Sequence, residues 1–279
     1  MNDPSLAGKV TIVTGAGSGL GRAMAVALAE SGGRVAAVDN RVDRLDELAN
    51  NAASKSGEVL PIVADLCELD NCPVVVERTL TAFGSVHGLV NCAGVSIAII
   101  RPDFRRNHVM FWEVPYDKWE AMFKLNATAP FLLAKAVAPH MIDQSWGRIV
   151  NVTTSLDTMI RPAWTPYGPS KAALEAASSN WAGDMEDKGV TVNVLIPGGP
   201  ANTNFVPGVT DAERAKLVQP DVMGEPIKWL MSDASDKFTA RRILAFNWDN
   251  SLPPDEAAGK ASAPIAWRSI GRQAATEPS

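Results

Sequence analysis

The chain has 279 residues, of which 46% are hydrophobic and 20% are charged, an ordinary composition for a globular protein. The net charge of −5 excludes the strongly basic character of many nucleic-acid binders, and no apolar run reaches the ~20 residues that span a bilayer. We therefore expect one domain over residues 1–279, with a core at 6–248 and an Ala-, Pro- and Gly-rich tail at 251–279.

The three cysteines, Cys67, Cys72 and Cys92, form no Cys-x-x-Cys pair, and their odd number argues against a disulfide framework or a zinc site. The N-terminal residues lack the basic start and long apolar run of a secretory signal. These observations predict a cytoplasmic protein without a metal site, and they favour small-molecule chemistry.

Seven short β-rich segments alternate with helical patterns along the chain. The segments are nearly continuous in apolar residues, which is typical of parallel strands covered by helices on both faces. Right-handed crossovers then give a doubly wound Rossmann-type α/β sheet, with ligands beyond the carboxyl ends of its strands. The predicted strands are 10–14, 35–39, 59–65, 88–92, 148–152, 190–196 and 242–246, and the predicted helices are 20–31, 43–53, 73–83, 116–142 and 170–188.

A glycine-rich turn follows the first predicted strand and leads into an Ala-rich helix. Gly15 permits a tight turn, Gly19 lets backbone N–H groups approach a pyrophosphate, and Gly21 lets the helix pack close to the strand. An ordinary turn is the alternative, but the strand before it and the helix after it favour nucleotide binding. The candidate cofactor-binding residues here are Gly15, Ser18, Gly19, Leu20 and Gly21.

Asp39 ends the second predicted strand. A carboxylate at this place accepts hydrogen bonds from the adenosine ribose hydroxyls and repels a 2′-phosphate. Arg41 lies close enough in sequence to attract a phosphate instead. NAD is therefore the expected cofactor and NADP the less favoured one, while a helix N-cap role for Asp39 is compatible with either.

Tyr167 and Lys171 begin the last long helical pattern, four residues apart and hence on one face. A phenol with a pKa of about 10 is a poor acid-base catalyst at neutral pH unless a cation stabilises its phenolate form. Lys171 is placed to do so. By itself the Tyr-x-x-x-Lys spacing is weak evidence, because any helix can carry this pair on a solvated face.

In combination, the motifs over residues 6–248 resemble the short-chain dehydrogenase/reductase family. They occur in the family's order and approximate spacing, and they are the glycine turn, Asn91-Cys92-Ala93-Gly94, Asn126, Tyr167 with Lys171, and Pro197-Gly198. The resemblance implies that Tyr167 exchanges a proton with the substrate oxygen while hydride passes to or from nicotinamide, and that Lys171 contacts the nicotinamide ribose. It also implies that Asn126 supports a water chain leading to the lysine.

The hydroxyl that polarises the substrate oxygen in this family normally follows the fifth strand. By spacing it falls on Thr154, with Ser155 next along the chain. Successive side chains of an extended strand point to opposite faces, so only one of the two is expected to reach the substrate. We favour Thr154, because its spacing needs no insertion, and local twist leaves Ser155 open.

The resemblance adds further cofactor contacts. Asn91, Ala93 and Gly94 belong to a turn that in the family supports the sheet centre and lies beside the adenosine ribose, and Cys92 replaces an amide there as a small buried side chain. Asp65 and Leu66 bracket the adenine ring. The nicotinamide carboxamide is gripped by a segment that carries one residue more than usual before its threonine, and Pro200 within it lacks an N–H donor. The residues of this segment are Pro197, Gly198, Gly199 and Thr203.

Substrate selection is expected from Trp164, from residues 204–220, which the family uses as a mobile lid, and from the long loop 96–115. This loop can form one wall of the site, or it can be a surface loop that makes subunit contacts. Its basic side chains can meet a carboxylate or phosphate, and its aromatic side chains can cover an apolar group. The basic residues are Arg101, Arg105, Arg106 and His108, and the aromatic ones are Phe104, Phe111 and Trp112.

Relatives commonly form tetramers through the two long helices and the last strand, so we expect a homo-oligomer, a tetramer or a dimer. The tail from Ser251 is expected either to wrap a neighbour's active site or to be disordered.

The main prediction is an NAD(H)-dependent oxidoreductase acting on a secondary alcohol or ketone, with neither nucleic acid nor membrane as a partner. Three other interpretations are considered. One is an epimerase or dehydratase of the longer branch of the superfamily, which needs a separate substrate domain for which the residues beyond Pro197 are too few. An NADP-dependent 3-oxoacyl-thioester reductase needs a basic docking face, which Asp39 and the acidic balance disfavour. A non-catalytic nucleotide sensor on the same fold is the third.

Overall fold

A computed structural model describes residues 6–52 and 56–267. Its strands are β1 (Val10–Thr14), β2 (Arg34–Asp39), β3 (Glu58–Val63), β4 (Gly88–Asn91), β5 (Gly147–Val152), β6 (Val190–Ile196), β7 (Arg241–Leu244) and β8 (Ser262–Pro264). They form one sheet in the order β3-β2-β1-β4-β5-β6-β7-β8. β1 to β7 pair in parallel and β8 is antiparallel to β7. The predicted doubly wound α/β class is confirmed.

Helices cover both faces of the sheet. They are α1 (Gly19–Glu30), α2 (Val42–Ala52), α3 (Asn71–Phe83), α4 (Tyr116–Phe123), α5 (Ala129–Asp143), α6 (Leu156–Ile160), α7 (Tyr167–Asp184), α8 (Asp211–Arg214), α9 (Gly224–Leu230) and α10 (Pro254–Ala261). Among the described residues, no helix is long and apolar enough to cross a membrane.

The sheet separates two apolar layers, because neighbouring residues of a strand point to opposite faces. Val13 belongs to the apolar layer that includes residues of α1, α2, α9 and α10, whereas Ile12, one residue earlier, belongs to the layer that includes residues of α3, α5 and α7. All five residues of β1 are buried, as are all seven of β6. Burial on both faces explains why these strands are apolar without alternation.

The tail differs from both expectations. Residues 251–267 fold back on their own sheet, where α10 is fixed by a hydrogen bond from Trp229 Nε1 to Asp255 Oδ1 (2.9 Å), and β8 pairs with β7. An edge strand leaves backbone groups unpaired, and β8 covers this edge of β7. Residues 268–279 of the predicted tail lie outside the described residues.

The predicted helix 116–142 is also interrupted. A π-helical turn at Lys124–Thr128 separates α4 from α5, and it carries Asn126. Such turns insert an extra residue into a helix and occur often at functional sites. Periodicity alone did not indicate this break.

The strand order reverses between β1 and β4, which lie side by side at the centre of the sheet. The loops after these two strands therefore leave in opposite directions and open a crevice at the carboxyl ends.

Candidate active site

A cavity of about 1240 Å³ lies at this crevice. The predicted site residues line it, with the exceptions of Asn91 and Asn126. Asn91 is the last residue of β4 and is 2% exposed, and its Nδ2 donates to Asn151 Oδ1 (2.8 Å) on β5. Its side chain therefore ties two strands together at the sheet centre, behind the cavity, whereas Ala93 and Gly94 of the same turn line the cavity.

The turn after β1 has the shape that a dinucleotide requires. Gly15 has φ +68°, and a Cβ at Gly21 would lie 2.2 Å from the Gly15 carbonyl oxygen, so the first turn of α1 packs directly on the loop. Thr14 Oγ1 accepts hydrogen bonds from the N–H groups of Cys92 and Ala93 (both 3.0 Å), which joins the ends of β1 and β4. The start of α1 lines the cavity and attracts phosphate groups.

Asp39 lies at the end of β2 with its side chain 8% exposed. Its Oδ2 accepts from the N–H of Gly17 (3.0 Å), and its Oδ1 accepts from the N–H (3.1 Å) and Nε (3.2 Å) of Arg41. Arg41 Nη2 also donates to Ser18 Oγ (2.8 Å). A carboxylate and a guanidinium thus stand together at the nucleotide end of the cavity, alongside Asp65 and Leu66.

Tyr167 is the first residue of α7 and is 8% exposed. Burial raises the pKa of its phenol to about 12, and a hydrogen bond with Thr154 opposes the shift. Burial lowers the pKa of Lys171 to about 8, with Cys92 opposing, and its Nζ donates to the Val152 carbonyl (2.9 Å). Burial also raises the pKa of Cys92 to about 12, so this side chain remains a thiol.

The two candidate hydroxyls have different partners. Ser155 is the N-cap of α6, where its Oγ accepts from the N–H of Thr158 (3.1 Å) and lies 2.7 Å from Thr158 Oγ1. Thr154 is the one close enough to Tyr167 to lower the pKa of the phenol. The geometry therefore places Thr154 with the phenol and engages Ser155 in helix capping.

Asn126 holds the segment next to the lysine. Its Oδ1 accepts from the N–H of Val95 (2.9 Å), and its Nδ2 donates to the Val95 carbonyl and to Ser170 Oγ (both 3.0 Å). A Cβ on Gly94 would lie 2.9 Å from Asn126 Oδ1 and 3.5 Å from Lys171 Nζ. The absence of a side chain at Gly94 thus leaves room for both polar groups.

A buried ion pair that joins the helix of Tyr167 and Lys171 to the end of the sheet was not predicted. Glu175 on α7 is fully buried, and its Oε1 accepts from Arg242 Nε (2.9 Å) and from the N–H of Ala266 (3.0 Å). Its Oε2 accepts from Thr153 Oγ1 (2.7 Å), and Arg242 Nη2 donates to the Thr154 carbonyl (2.6 Å). One carboxylate therefore joins α7, β7, the turn after β5 and the segment after β8.

An aromatic wall surrounds the phenol. The Trp164 ring lies 5.7 Å, between centroids, from both Phe104 and Tyr167, and Phe205 lies 5.8 Å from Tyr167. Phe104 belongs to the loop 96–115, which does form a cavity wall. Phe111 and Trp112 of this loop do not line the cavity, because they occupy a 3-10 turn in which they are 69% and 72% exposed.

The sheet order, the glycine turn and the buried pair of Tyr167 and Lys171 together define an NAD(P)-dependent oxidoreductase of the Rossmann type. The chain belongs to the short-chain dehydrogenase family, whose model matches residues 9–214. No group of three or more His, Cys, Asp or Glu side chains in the described ranges is arranged to hold a metal ion.

Three similar proteins illustrate the family. The 3-oxoacyl-(acyl-carrier-protein) reductase of Thermotoga maritima is 28% identical, over 85% of this chain and 96% of the relative. The structure of a protein described as an NAD(P)-dependent gluconate 5-dehydrogenase from Beutenbergia cavernae, with NADP at low occupancy, is 30% identical with a TM-score of 0.74, over 85% of this chain and 95% of that chain. A metagenomic short-chain oxidoreductase in complex with NADP is 26% identical with a TM-score of 0.70, over 86% and 96%.

Proposed function

We propose that the protein transfers hydride between NAD(H) and a secondary alcohol or ketone, with Tyr167 as the acid and base. The observation that carries the proposal is a buried phenol at the cavity wall, beside Thr154 and one helical turn before Lys171. Hydride transfer leaves a negative charge on the ketone oxygen, and a proton donor must neutralise it.

Each side chain has a role in this reaction. Tyr167 donates its proton to the ketone oxygen, and Thr154 orients that oxygen by a hydrogen bond. Lys171, with a pKa of about 8, remains mostly protonated at neutral pH and favours the phenolate that forms. Asn126, through Val95 and Ser170, keeps the surroundings of the lysine in place.

The glycine turn, Asp39 and the start of α1 fit a dinucleotide, because they line one end of the cavity and present a helix N-terminus and a carboxylate to it. When bound, the nicotinamide nucleotide supplies or accepts the hydride, and its oxidised form adds a positive charge that favours the phenolate. Pro197, Gly198 and Gly199 line the cavity at the end of β6 and are proposed to hold the nicotinamide side.

The proposal is tested by following nicotinamide absorbance with NADH and NADPH across a panel of alcohols and ketones. Turnover of one substrate class with an identified product supports it. Tight nucleotide binding without turnover of any panel member would instead support a nucleotide sensor.

The cofactor preference proposed from Asp39 is for NAD(H). The carboxylate repels a 2′-phosphate, and its bond from Gly17 fixes it at the ribose end. NADP(H) is the second candidate, favoured by the Arg41 guanidinium beside Asp39 and by the NADP in two similar structures.

We expect Asp39→Ala to shift the preference toward NADPH by about 10-fold or more, because it removes the repulsive carboxylate and releases Arg41. The measurement is the ratio of kcat/KM for NADPH and NADH. Arg41→Gln is the control and should shift the ratio the other way. A ratio unchanged in both variants would place cofactor selection elsewhere.

A pair of variants distinguishes the roles of the two hydroxyls that follow β5, those of Thr154 and Ser155. We expect Thr154→Val to lower kcat by about 10²-fold, because the hydrogen bond to the substrate oxygen is lost. Ser155→Ala should keep kcat near the wild-type value and lower the free energy of unfolding by about 1 kcal/mol through loss of the α6 cap. The reverse pattern of kcat values would assign the role to Ser155.

A 3-oxoacyl-thioester reductase remains the second candidate function, and its support is the relative in Thermotoga maritima. The panel therefore includes a 3-oxoacyl thioester. We also propose a cytoplasmic location, consistent with three free cysteines, and a homo-oligomer formed through the long helices. The last strand contributes less than in relatives, because β8 of the same chain covers the β7 edge.

A further inference from the structure

The charged residues that line the cavity are divided between its two ends. Asp39 and Asp65 are its acidic lining residues, and both lie at the nucleotide end, at the carboxyl end of β2 and just after β3. Arg41 lies beside Asp39 at that end. No Asp or Glu lines the half around Tyr167, whereas four cationic side chains and one histidine do: Arg105, Arg161, Lys171, Arg242 and His108. A substrate in this half therefore meets a positive electrostatic potential.

These basic groups differ in their partners. Lys171 is bonded to the Val152 carbonyl, and Arg242 is paired with the fully buried Glu175. Arg161 forms an ion pair with Asp157 on the outer side of α6, and Asp157 does not line the cavity. Each of these three cations is thus at least partly neutralised or engaged by the protein.

Arg105 is different, because no hydrogen bond or ion pair joins its guanidinium to any of residues 6–52 or 56–267. Glu213 carries a carboxylate near Arg105. Hydrogen bonds from Thr210 lower its pKa most, and the charges of Arg106 and Arg105 lower it further. This carboxylate is held by Thr210 and does not line the cavity. A free guanidinium on a cavity wall is suited to bind a carboxylate or phosphate in a bidentate manner.

Aromatic rings lie next to Arg105 and Arg161 on the way to the phenol of Tyr167. Arg105 follows Phe104, whose ring packs edge-on against Trp164, and the Arg161 guanidinium lies 5.8 Å from the Trp164 centroid. Trp164 in turn contacts Tyr167. The wall between Tyr167 and Phe104, the neighbour of Arg105 in the loop, is therefore aromatic.

From this arrangement we propose that the substrate is an alcohol or ketone with an anionic end, a carboxylate or a phosphate, separated from the reacting carbon by an apolar segment. Arg105 binds the anion, with Arg161 and His108 beside it. This inference rests on the proposed function, because it concerns the substrate of the same site.

The first experiment measures reduction of methyl-ketone acids of increasing length, starting from levulinate, each paired with its methyl ester. The ester keeps the ketone and the apolar segment and loses only the charge. We expect kcat/KM for the acid to exceed that for the ester by about 10-fold at the best length. Matched ketoalkyl phosphates then show which anion is preferred. Equal values for acids, phosphates and esters at every length would overturn the inference.

The second experiment uses variants of the same loop. Arg105→Gln should raise KM for the preferred anion about 10-fold and leave kcat and the ester unchanged. Arg106→Gln is the matched control, because it removes the same charge from the next residue, which does not line the cavity. An equal loss in both variants, or an equal loss for acid and ester in Arg105→Gln, would contradict a local anion site. An increased Kd for NADH in Arg105→Gln would assign the guanidinium to the cofactor instead.

Failure of the proposed function gives a different result. If no ketone in either series is reduced, the proposed reaction fails for this substrate range, and the anion site is judged by calorimetric titration of the acids and esters into enzyme saturated with NADH. Binding of the acid that Arg105→Gln weakens and Arg106→Gln does not would support the site. Absence of any difference between acid and ester would reject it.

Discussion

Replacing Tyr167 by Phe is expected to lower kcat by about 10²- to 10⁴-fold while the Kd for NADH stays within about twofold of wild type. The variant removes one hydroxyl and keeps the ring that packs against Trp164 and Phe205. The lost hydroxyl is the one that Thr154 contacts and that burial keeps protonated, with its pKa raised to about 12. Loss of the proton donor therefore affects chemistry and leaves nucleotide binding intact.

The chain offers a matched control, because it contains two tyrosines and Tyr116 is 78% exposed on α4. Tyr116→Phe should have wild-type kcat. Both kcat and the Kd for NADH are measured for the two variants with the best substrate of the panel. A kcat for Tyr167→Phe equal to that of Tyr116→Phe would refute the role given to this phenol.

Replacing Glu175 by Gln is expected to destabilise the fold by about 3–5 kcal/mol, because it leaves the buried Arg242 guanidinium without its counter-charge. The carboxylate also accepts from Thr153 Oγ1 and from the N–H of Ala266, so the change weakens three contacts at once. A loss of this size corresponds to a fall in Tm of roughly 10 °C. We also expect a lower kcat, because Arg242 holds the Thr154 carbonyl.

Two further variants compare the effect on Tm of the buried ion pair with that of a surface ion pair. Glu256→Gln removes the partner of Lys260 on the exposed face of α10 and should leave Tm unchanged. The double variant Glu175→Gln with Arg242→Met removes both charges and should recover part of the lost Tm. A Tm for Glu175→Gln as high as that of Glu256→Gln would show that the buried pair does not hold these segments together.

The fold was predictable from sequence because its signals are local. Continuous apolar strands, the glycine turn and helical periodicity each lie within a short window. The fold of residues 251–267 was not predictable in this way, because β8 has three residues, and its pairing depends on an edge of β7 that the sequence does not display. The π-helical turn at Asn126 was missed for a similar reason, since it depends on contacts with Val95 and Ser170.

The candidate site was predicted where it coincides with a motif. Tyr167, Lys171 and the glycine turn meet at the cavity as the spacing indicated, whereas Asn91 fell behind it. Glu175 and Arg242 are 67 residues apart, and no short pattern joins them. The available signal was an arginine within an apolar strand, which needs a buried partner. The sequence left open whether Phe111 and Trp112 cover the substrate or lie on the surface, because aromatic content does not reveal the direction of a side chain.

The most direct measurement of the central claim uses NADH that carries two deuterium atoms at C4 of its nicotinamide ring and follows deuterium into the product. With the best ketone of the panel, the account predicts one deuterium at the carbinol carbon with the wild-type enzyme and a rate reduced by about 10²-fold or more in Tyr167→Phe. A product without deuterium at that carbon, or an equal rate in both enzymes, would contradict hydride transfer assisted by Tyr167.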